Sequence, residues 1–328
     1  MTEHSHDAPV RYVARPTVAD VHLARQTVAR HLPPTPLIRD TTGDWPELHL
    51  KLETFQPTGS FKVRGALNAL ASVDPDRDVV TASAGNAGLG LAWAAGQLGR
   101  TVTVVVPGNA SPAKVEALRR FPVELVQVGT SYDDAELEAL RRADQGAYYL
   151  SSYNDTLVIA GQGTIGLELA DQLPGPFTVV PSIGGGGLAA GIALWAATRD
   201  DVDVVGVEAA ASTAVSAAVD AGHVVDIEVD ATLADGMAGG IERGCATVDV
   251  IRDHVARLVT VTETEIVAAM RYLLIRHGLV SEGAGAASVA AVLAGKVDIT
   301  GPVVAVVSGR NIAPALLASV LSRSEPGA

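Results

Sequence analysis

The feature that most constrains this chain is the alternation of short, continuously apolar runs with segments of helical spacing. Residues 101–107, 123–129, 177–183, 202–208, 256–262 and 302–308 read TVTVVVP, VELVQVG, FTVVPSI, VDVVGVE, ARLVTVT and PVVAVVS. Runs of this kind fit parallel strands covered on both faces better than strands with one wet face. Between them, SPAKVEALRRF, YDDAELEALRRA and TETEIVAAMRYLLIRHG space their apolar residues as helices do. Thr262 and Glu265 form a capping-box pattern at the start of the last of these. The β-α order predicts an α/β fold with open, doubly wound sheets rather than a sandwich or a bundle. The 328 residues contain no fixed-period repeat and no Pro/Gly/Ser linker, so two lobes interleaved in sequence are expected.

Composition narrows the function classes. Hydrophobic residues make up 48% of the chain and charged residues 19%, enough for a sizeable core. A net charge of −13 repels phosphate backbones and acidic headgroups, so no nucleic acid or membrane partner is expected. Cys245 stands alone, without a disulfide partner or a zinc-ligand spacing. The polar start, MTEHSHDAP, lacks the apolar core of a signal peptide. Two uncharged stretches, 79–99 and 175–198, are interrupted by Gly, Ser, Asn, Gln or Pro and divide into strand, turn and helix. A cytoplasmic protein is expected.

In open α/β sheets ligands sit beyond the carboxyl ends of strands. Four loops hold that position: Thr58-Gly-Ser-Phe-Lys62, Ser83-Ala-Gly-Asn86, Gly184-Gly185-Gly186-Gly187 and Ser308-Gly-Arg-Asn311. The glycine tetrad carries the clearest signal. A strand leads in, a helix leads out, and the backbone can turn several N–H donors toward a phosphate monoester without any Lys or Arg. A plain flexible turn is the alternative. Lys62 alone would be an ordinary surface lysine. Desolvation beside Phe61 would make its amine a nucleophile toward an aldehyde.

The segment ETFQPTGSFKVRGALNAL resembles the lysine segment of fold-type II pyridoxal-phosphate enzymes, closest to the threonine/serine dehydratase and serine racemase group. TPLIRD, SAGN, VIAGQGTIGLEL, SIGGGG, GVE, LADG, SEGAGA and SGRN follow in family order from about residue 17 to 312. The resemblance implies a large cofactor-binding domain from residues 1–75 and 155–328, a small domain from 76–154, and an active site between them. It implies pyridoxal 5′-phosphate as cofactor, Lys62 as the Schiff-base lysine and Phe61 near the ring. Asn86 would meet the ring hydroxyl, Gly184–Gly187 the phosphate and Ser308 the pyridine nitrogen, with Asn154 a further candidate at the cofactor edge. Ser83, Ala84, Gly85, Asn86 and Ala87 would form the substrate loop. A neutral Ser308 moderates the electron sink, which suits β-elimination over transamination. The implied activity is a PLP-dependent ammonia-lyase in which Lys62 removes the Cα proton of a small β-hydroxy amino acid. The cofactor phosphate would protonate the leaving hydroxyl. A homo-oligomer is implied as well.

Three departures qualify this picture. Ala87 and Leu89 replace the family's usual His and Gln, which leaves open a bulkier or less polar substrate such as phenylserine, or 3-hydroxyaspartate. Ala84 stands where racemase relatives carry a serine, which disfavours racemisation. Glu208 matches a divalent-cation carboxylate of some relatives, but its companion near Ala214 is not acidic, so a strand-end hydrogen bond is the stronger reading and no metal is expected. Glu282 either lines the cofactor pocket or satisfies a helix dipole. Gly161–Gly166 matches GxGxxG, yet YNDTLVIA is a poor strand and no acidic residue follows at the right distance, so it reads as the entry to a packed helix. His254, His277 and Arg243 lack catalytic spacing. Other reactions of the same cofactor, β-replacement among them, and a non-catalytic amino-acid sensor remain as alternatives. The stretch after about Ser322 is expected to be too short for a regulatory domain.

Overall fold

A computed structural model describes residues 11–322; the polar start read against a signal peptide lies outside them. In chain order the strands are β1 (Leu37–Arg39), β2 (Leu48–Leu52), β3 (Val79–Ala82), β4 (Val102–Pro107), β5 (Val123–Val128), β6 (Tyr148–Tyr149), β7 (Phe177–Val180), β8 (Val202–Ala209), β9 (Arg257–Val261) and β10 (Val303–Val307). They form a six-stranded sheet, β1-β2-β10-β7-β8-β9, and a four-stranded sheet, β5-β4-β3-β6. Every pairing is parallel except β1 with β2. The smaller sheet takes its strands from one continuous stretch, 79–149, inserted between the strands of the larger.

The helices are α1 (Val18–Val28), α2 (Lys62–Ser72), α3 (Asn86–Leu98), α4 (Pro112–Arg119), α5 (Tyr132–Asp144), α6 (Thr156–Gln172), α7 (Gly187–Ala196), α8 (Ala214–Ala221), α9 (Ala246–His254), α10 (Glu263–His277), α11 (Gly283–Leu293) and α12 (Pro314–Ser322). Among the described residues no helix is long and apolar enough to cross a membrane. The capping box at α10 forms as its residues predict: Glu265 N donates to Thr262 Oγ1 and Thr262 N to Glu265 Oε2.

Two expectations need correction. Full burial holds for β10, but β5 and β9 are half-exposed because each lies at a sheet edge with one neighbour. An apolar run reports strand character, not a covered position in the sheet. Residues 161–166 lie inside α6 rather than at its entry, and Asp155 caps that helix by accepting from Leu157 N and Val158 N. The glycines there are a packing surface. A Cβ on Gly161 would sit 2.6 Å from Gly65 Cα, and one on Gly163 2.6 Å from Gly191 O, so α2 and α7 lie almost backbone to backbone on α6.

The joint between β2, the short 3-10 turn Glu53–Phe55, α2 and α6 is ionic. Arg64 is wholly buried and grips Glu53 through two bonds of 2.7 and 2.8 Å, and Glu168 through two of 2.6 and 2.9 Å. Lys51, also buried, donates to Glu168 at 2.6 Å, to Thr35 O at 2.9 Å and to Gln172 at 2.8 Å. Two cations face two carboxylates, so the cluster can be dry without net charge. Removing one partner strands the others. Arg64→Met is therefore expected to lower the unfolding free energy by roughly 3–5 kcal/mol, measured by denaturant titration. A loss under about 1 kcal/mol would mean that this cluster does not hold the joint.

Candidate active site

The loop Thr58–Lys62 is stitched to the loop after β10. Phe61 N donates to Ser308 O at 3.1 Å, Arg310 N donates to Gly59 O at 2.9 Å, and Ser60 bridges to Gly309. Gly59 has φ +74°, a conformation that favours glycine, and it turns the chain into that pairing. Lys62 then opens α2. Its Nζ donates to Ser152 O at 2.7 Å and lies 5.2 Å from the centre of the Phe61 ring. Burial lowers the Lys62 amine to about 8, with Glu282 opposing. Helix α3 can lie against this point because residue 90 is glycine: a Cβ there would be 3.1 Å from the Lys62 carbonyl carbon.

Asn86 begins α3, and the preceding Gly85 offers no side-chain cap. The first N–H groups of that helix are thus left for a ligand. Ser83 Oγ accepts from Gly85 N at 3.1 Å, which leaves the hydroxyl proton to donate elsewhere. Ala84 and Gly85 are half-buried and Ala87 is buried. Leu89 packs against the apolar core around α2 and α3, so that departure from the family pattern is largely absorbed as packing.

At the glycine tetrad, Gly187 opens α7 without a side-chain cap, and Gly186 has φ +86°. Among the described residues none of the N–H groups of Gly184–Gly187 donates to another protein group. The side away from those donors is closed. A Cβ on Gly185 would fall 2.3 Å from the Tyr153 ring, and one on Gly186 2.9 Å from Thr247 Oγ1. Thr247 Oγ1 donates to Gly185 O at 2.7 Å and pins the loop. Tyr153 follows the Ser152 carbonyl that holds Lys62, so one turn of chain joins the amine to the glycine loop.

Ser308 is buried, with its hydroxyl 3.3 Å from both Ser182 Oγ and Ala284 O. Two more hydroxyls on the lysine loop, Thr58 Oγ1 and Ser60 Oγ, are buried with no partner. Unspent buried donors mark places where a ligand or water completes the bonding. Glu282 precedes α11 but makes no cap bond. Its carboxylate accepts instead from Asn86 Nδ2 at 2.7 Å, and burial lifts it to about 7. Near the same group, Lys114 of α4 reaches Asp235 at 3.5 Å, and both are solvent-exposed.

The remaining candidates lie elsewhere or serve the frame. Asn154 is fully buried; its Nδ2 donates to Glu242 at 2.9 Å and its Oδ1 accepts from Ala246 N at 3.1 Å. Those two bonds tie the 151–155 loop to Glu242 and the start of α9. Glu208 accepts from Val215 N, Ser216 N and Ser216 Oγ and so caps α8. Among the described residues no group of three or more His, Cys, Asp or Glu could hold a metal ion. The His277 side chain lies 3.1 Å from Asp40, and His254 is beside Arg15 at the surface. Ser152, Tyr153 and Thr247 were not legible as site residues. For Ser152 and Tyr153 the only sequence signal is the Asp155 cap, which marks the residues before it as a loop; Thr247, inside α9, has none.

The site fits a flat ring bearing a phosphate and an aldehyde. It offers an unpaired backbone cradle at a helix N-terminus, a desolvated amine, an aromatic face and a buried hydroxyl. The family model described as "Pyridoxal-phosphate dependent enzyme" matches residues 28–309. The chain is 41% identical over 282 residues to an L-threonine ammonia-lyase of Geobacter sulfurreducens, covering 84% of this chain and 70% of the relative. It is 38% identical to an L-threonine ammonia-lyase of Thermotoga maritima, covering 90% and 76%. Maize serine racemase superposes with a TM-score of 0.86 at 29% identity, covering 93% and 97%. Threonine deaminase isoform 2 of Solanum lycopersicum, in its processed form, superposes with 0.85 at 28% identity, covering 96% and 92%.

Two outcomes follow from this geometry. Gly185→Ala drives a methyl into Tyr153, so the dissociation constant for pyridoxal phosphate should rise by roughly tenfold or more, read by equilibrium dialysis. Unchanged affinity would remove the glycine loop from the phosphate site. The amine must be neutral to capture an aldehyde, so capture of pyridoxal phosphate by the apoprotein, followed by visible absorbance, should quicken with pH and level off above about 8 instead of 10.5. The same shift means that the cost of burying the ammonium is present below pH 8. It is relieved between 8 and 10.5, where the unfolded chain binds the extra proton, so this group makes the apoprotein more stable as pH rises through that window. A midpoint near 10.5 would show that Lys62 is not desolvated.

Proposed function

The chain belongs to the pyridoxal-phosphate dependent enzyme family, and we propose that it is an ammonia-lyase converting L-threonine or L-serine to a 2-oxo acid and ammonia. The observation that carries this reading is the placement of one desolvated lysine between two helix N-termini whose N–H groups are unspent. The α7 terminus suits a phosphate and the α3 terminus a carboxylate, so an α-amino acid and a phosphorylated cofactor can both reach Lys62.

The residues divide the work as follows. Gly184–Gly187 hold the phosphate through backbone donors, and Thr247 and Tyr153 keep that loop rigid from behind. Phe61 would flank the ring, and Ser308 would present a neutral hydroxyl to its nitrogen. The substrate carboxylate is received by Ser83 Oγ and the first N–H groups of α3, in the loop of Ser83, Ala84, Gly85, Asn86 and Ala87. Pyridoxal phosphate, when bound, supplies an aldehyde that condenses with amines and a conjugated ring that withdraws electrons from Cα. Lys62 is held by the Ser152 carbonyl and has a lowered proton affinity, so its neutral amine would hold the cofactor's aldehyde and would serve as the base for the substrate's Cα proton. Ala84 brings no hydroxyl to the other face, which favours elimination over racemisation.

The strand content supports a division at 75/76 and 154/155 into a large and a small domain with the site between them. A cytoplasmic setting accords with the lone Cys245 and the net charge of −13, and a homo-oligomer remains part of the proposal. The test is a substrate panel of L-threonine, L-serine, D-serine, 3-hydroxyaspartate and phenylserine, assayed for 2-oxo acid and ammonia. L-threonine or L-serine should be turned over fastest. Lys62→Ala should lose at least about 10³-fold of that activity, in line with removing a nucleophile that is also the base. Full turnover by Lys62→Ala would overturn the mechanism, and no 2-oxo acid from any amino acid would leave a binding protein.

A further inference from the structure

Asn86 has two polar neighbours, and their identities fix which way its amide points. The reasoning starts at Thr58, whose backbone carbonyl can only accept. Asn311 Nδ2 lies 2.8 Å from that carbonyl oxygen, so the NH2 end of Asn311 must face this side. The same Nδ2 is 2.6 Å from Asn86 Oδ1, so Asn311 spends its second proton there and Asn86 must present its oxygen to Asn311. The Asn86 NH2 is thereby turned the other way, where it donates to Glu282 Oε1 at 2.7 Å. Glu282 is nine-tenths buried, and its space is kept open by Gly309, on which a Cβ would fall 2.0 Å from Oε1. Three side chains from three separate loops thus form a chain of fixed polarity, Asn311 to Asn86 to Glu282, across which α3 meets the loops before α11 and after β10. One N–H of Asn86 is left over.

We propose that Asn311 and Glu282 are positioning residues that lock the Asn86 amide so that it offers a ligand only a donor N–H. Resting on the cofactor reading above, the consequence is that the ring oxygen beside Asn86 is held as an acceptor, in its deprotonated form. An unlocked asparagine would present N–H or C=O according to the ligand's protonation and would exert no such selection. Glu282 is thus not a helix cap. Its carboxylate is the acceptor that terminates the relay.

The test compares holoenzyme variants by the visible absorption of the bound cofactor, the pH midpoint of that absorption, and the cofactor dissociation constant. Asn311→Asp replaces the donor by an acceptor of the same shape and should reverse the Asn86 amide. Glu282→Ala removes the terminal acceptor, whereas Glu282→Gln keeps one. Asn311→Asp and Glu282→Ala should shift the absorption midpoint by about one pH unit and weaken cofactor binding by roughly tenfold to a hundredfold, the size of a lost hydrogen bond to a charged group. Glu282→Gln should stay within about threefold of wild type in affinity, since its amide oxygen accepts the same bond. Thermal melts check folding, and the isosteric Asn311→Asp decides the matter if Glu282→Ala does not fold. Wild-type spectrum and affinity in Asn311→Asp would overturn the relay while leaving the cofactor reading intact. A wild-type protein that binds no pyridoxal phosphate would overturn the reading beneath it.

Discussion

The interaction on which the rest depends is the buried clasp of Arg64 by Glu53 and Glu168, with Lys51 closing the charge balance. Burying four ions is costly unless each is paired and hydrogen-bonded, and here the guanidinium fork meets two carboxylates in the planar geometry it suits. Nearby charges act in opposite senses: the Glu53 carboxyl is pulled down by Arg64 against its burial, whereas burial wins at Lys51 and lowers its amine. Because Arg64 is two residues after Lys62 on the first turn of α2, the clasp sets the depth and rotation of that turn. A strand, a tight turn and two helices share one ionic joint, and the reactive amine hangs from it.

From that joint the geometry propagates by close backbone approach. Small residues on α6 let α2 and α7 come in tightly, and Gly90 lets α3 do the same at Lys62. Two helices then end where the lysine begins, with their first amides bare. The site's electrostatics come mainly from peptide groups and helix termini, supplemented by one amine and one carboxyl whose proton affinities converge: burial lowers Lys62 to about 8 and lifts Glu282 to about 7. Desolvation thus brings an acid and a base to within reach of neutrality from opposite directions.

Much of this was legible in the residues and some was not, for physical reasons. The apolar runs announced the strands because parallel strands have little polar alternation to hide them, but they could not tell the edge strands β5 and β9 from covered ones. Antiparallel β1, three residues long, has no pattern to read. Gly184–Gly187, Lys62, Asn86 and Ser308 stand out as candidates because each lies in a loop beyond a strand, where ligand loops belong. Asn154 is harder to read, because a polar residue beside a site loop looks the same whether it faces a ligand or braces the loop; in the structure its amide bonds Glu242 and Ala246. Ser152, Tyr153 and Thr247 act through a carbonyl, a ring pressed on glycine and a bond to a backbone oxygen, none of which has a spacing signature. Glu282 at the start of α11 reads equally as a pocket residue or a helix cap in sequence, and its bond to Asn86 shows only in three dimensions.

The glycine loop has one further consequence. A phosphate gripped by lysines or arginines is held by charges that dissolved salt can screen, and its retention would fall with ionic strength. The loop at Gly184–Gly187 contains no cation, and its donors are aligned peptide dipoles packed against Tyr153 and Thr247. Such a grip would be short-ranged, so a chain carrying a net charge of −13 would keep a doubly negative guest in brackish and dilute surroundings alike.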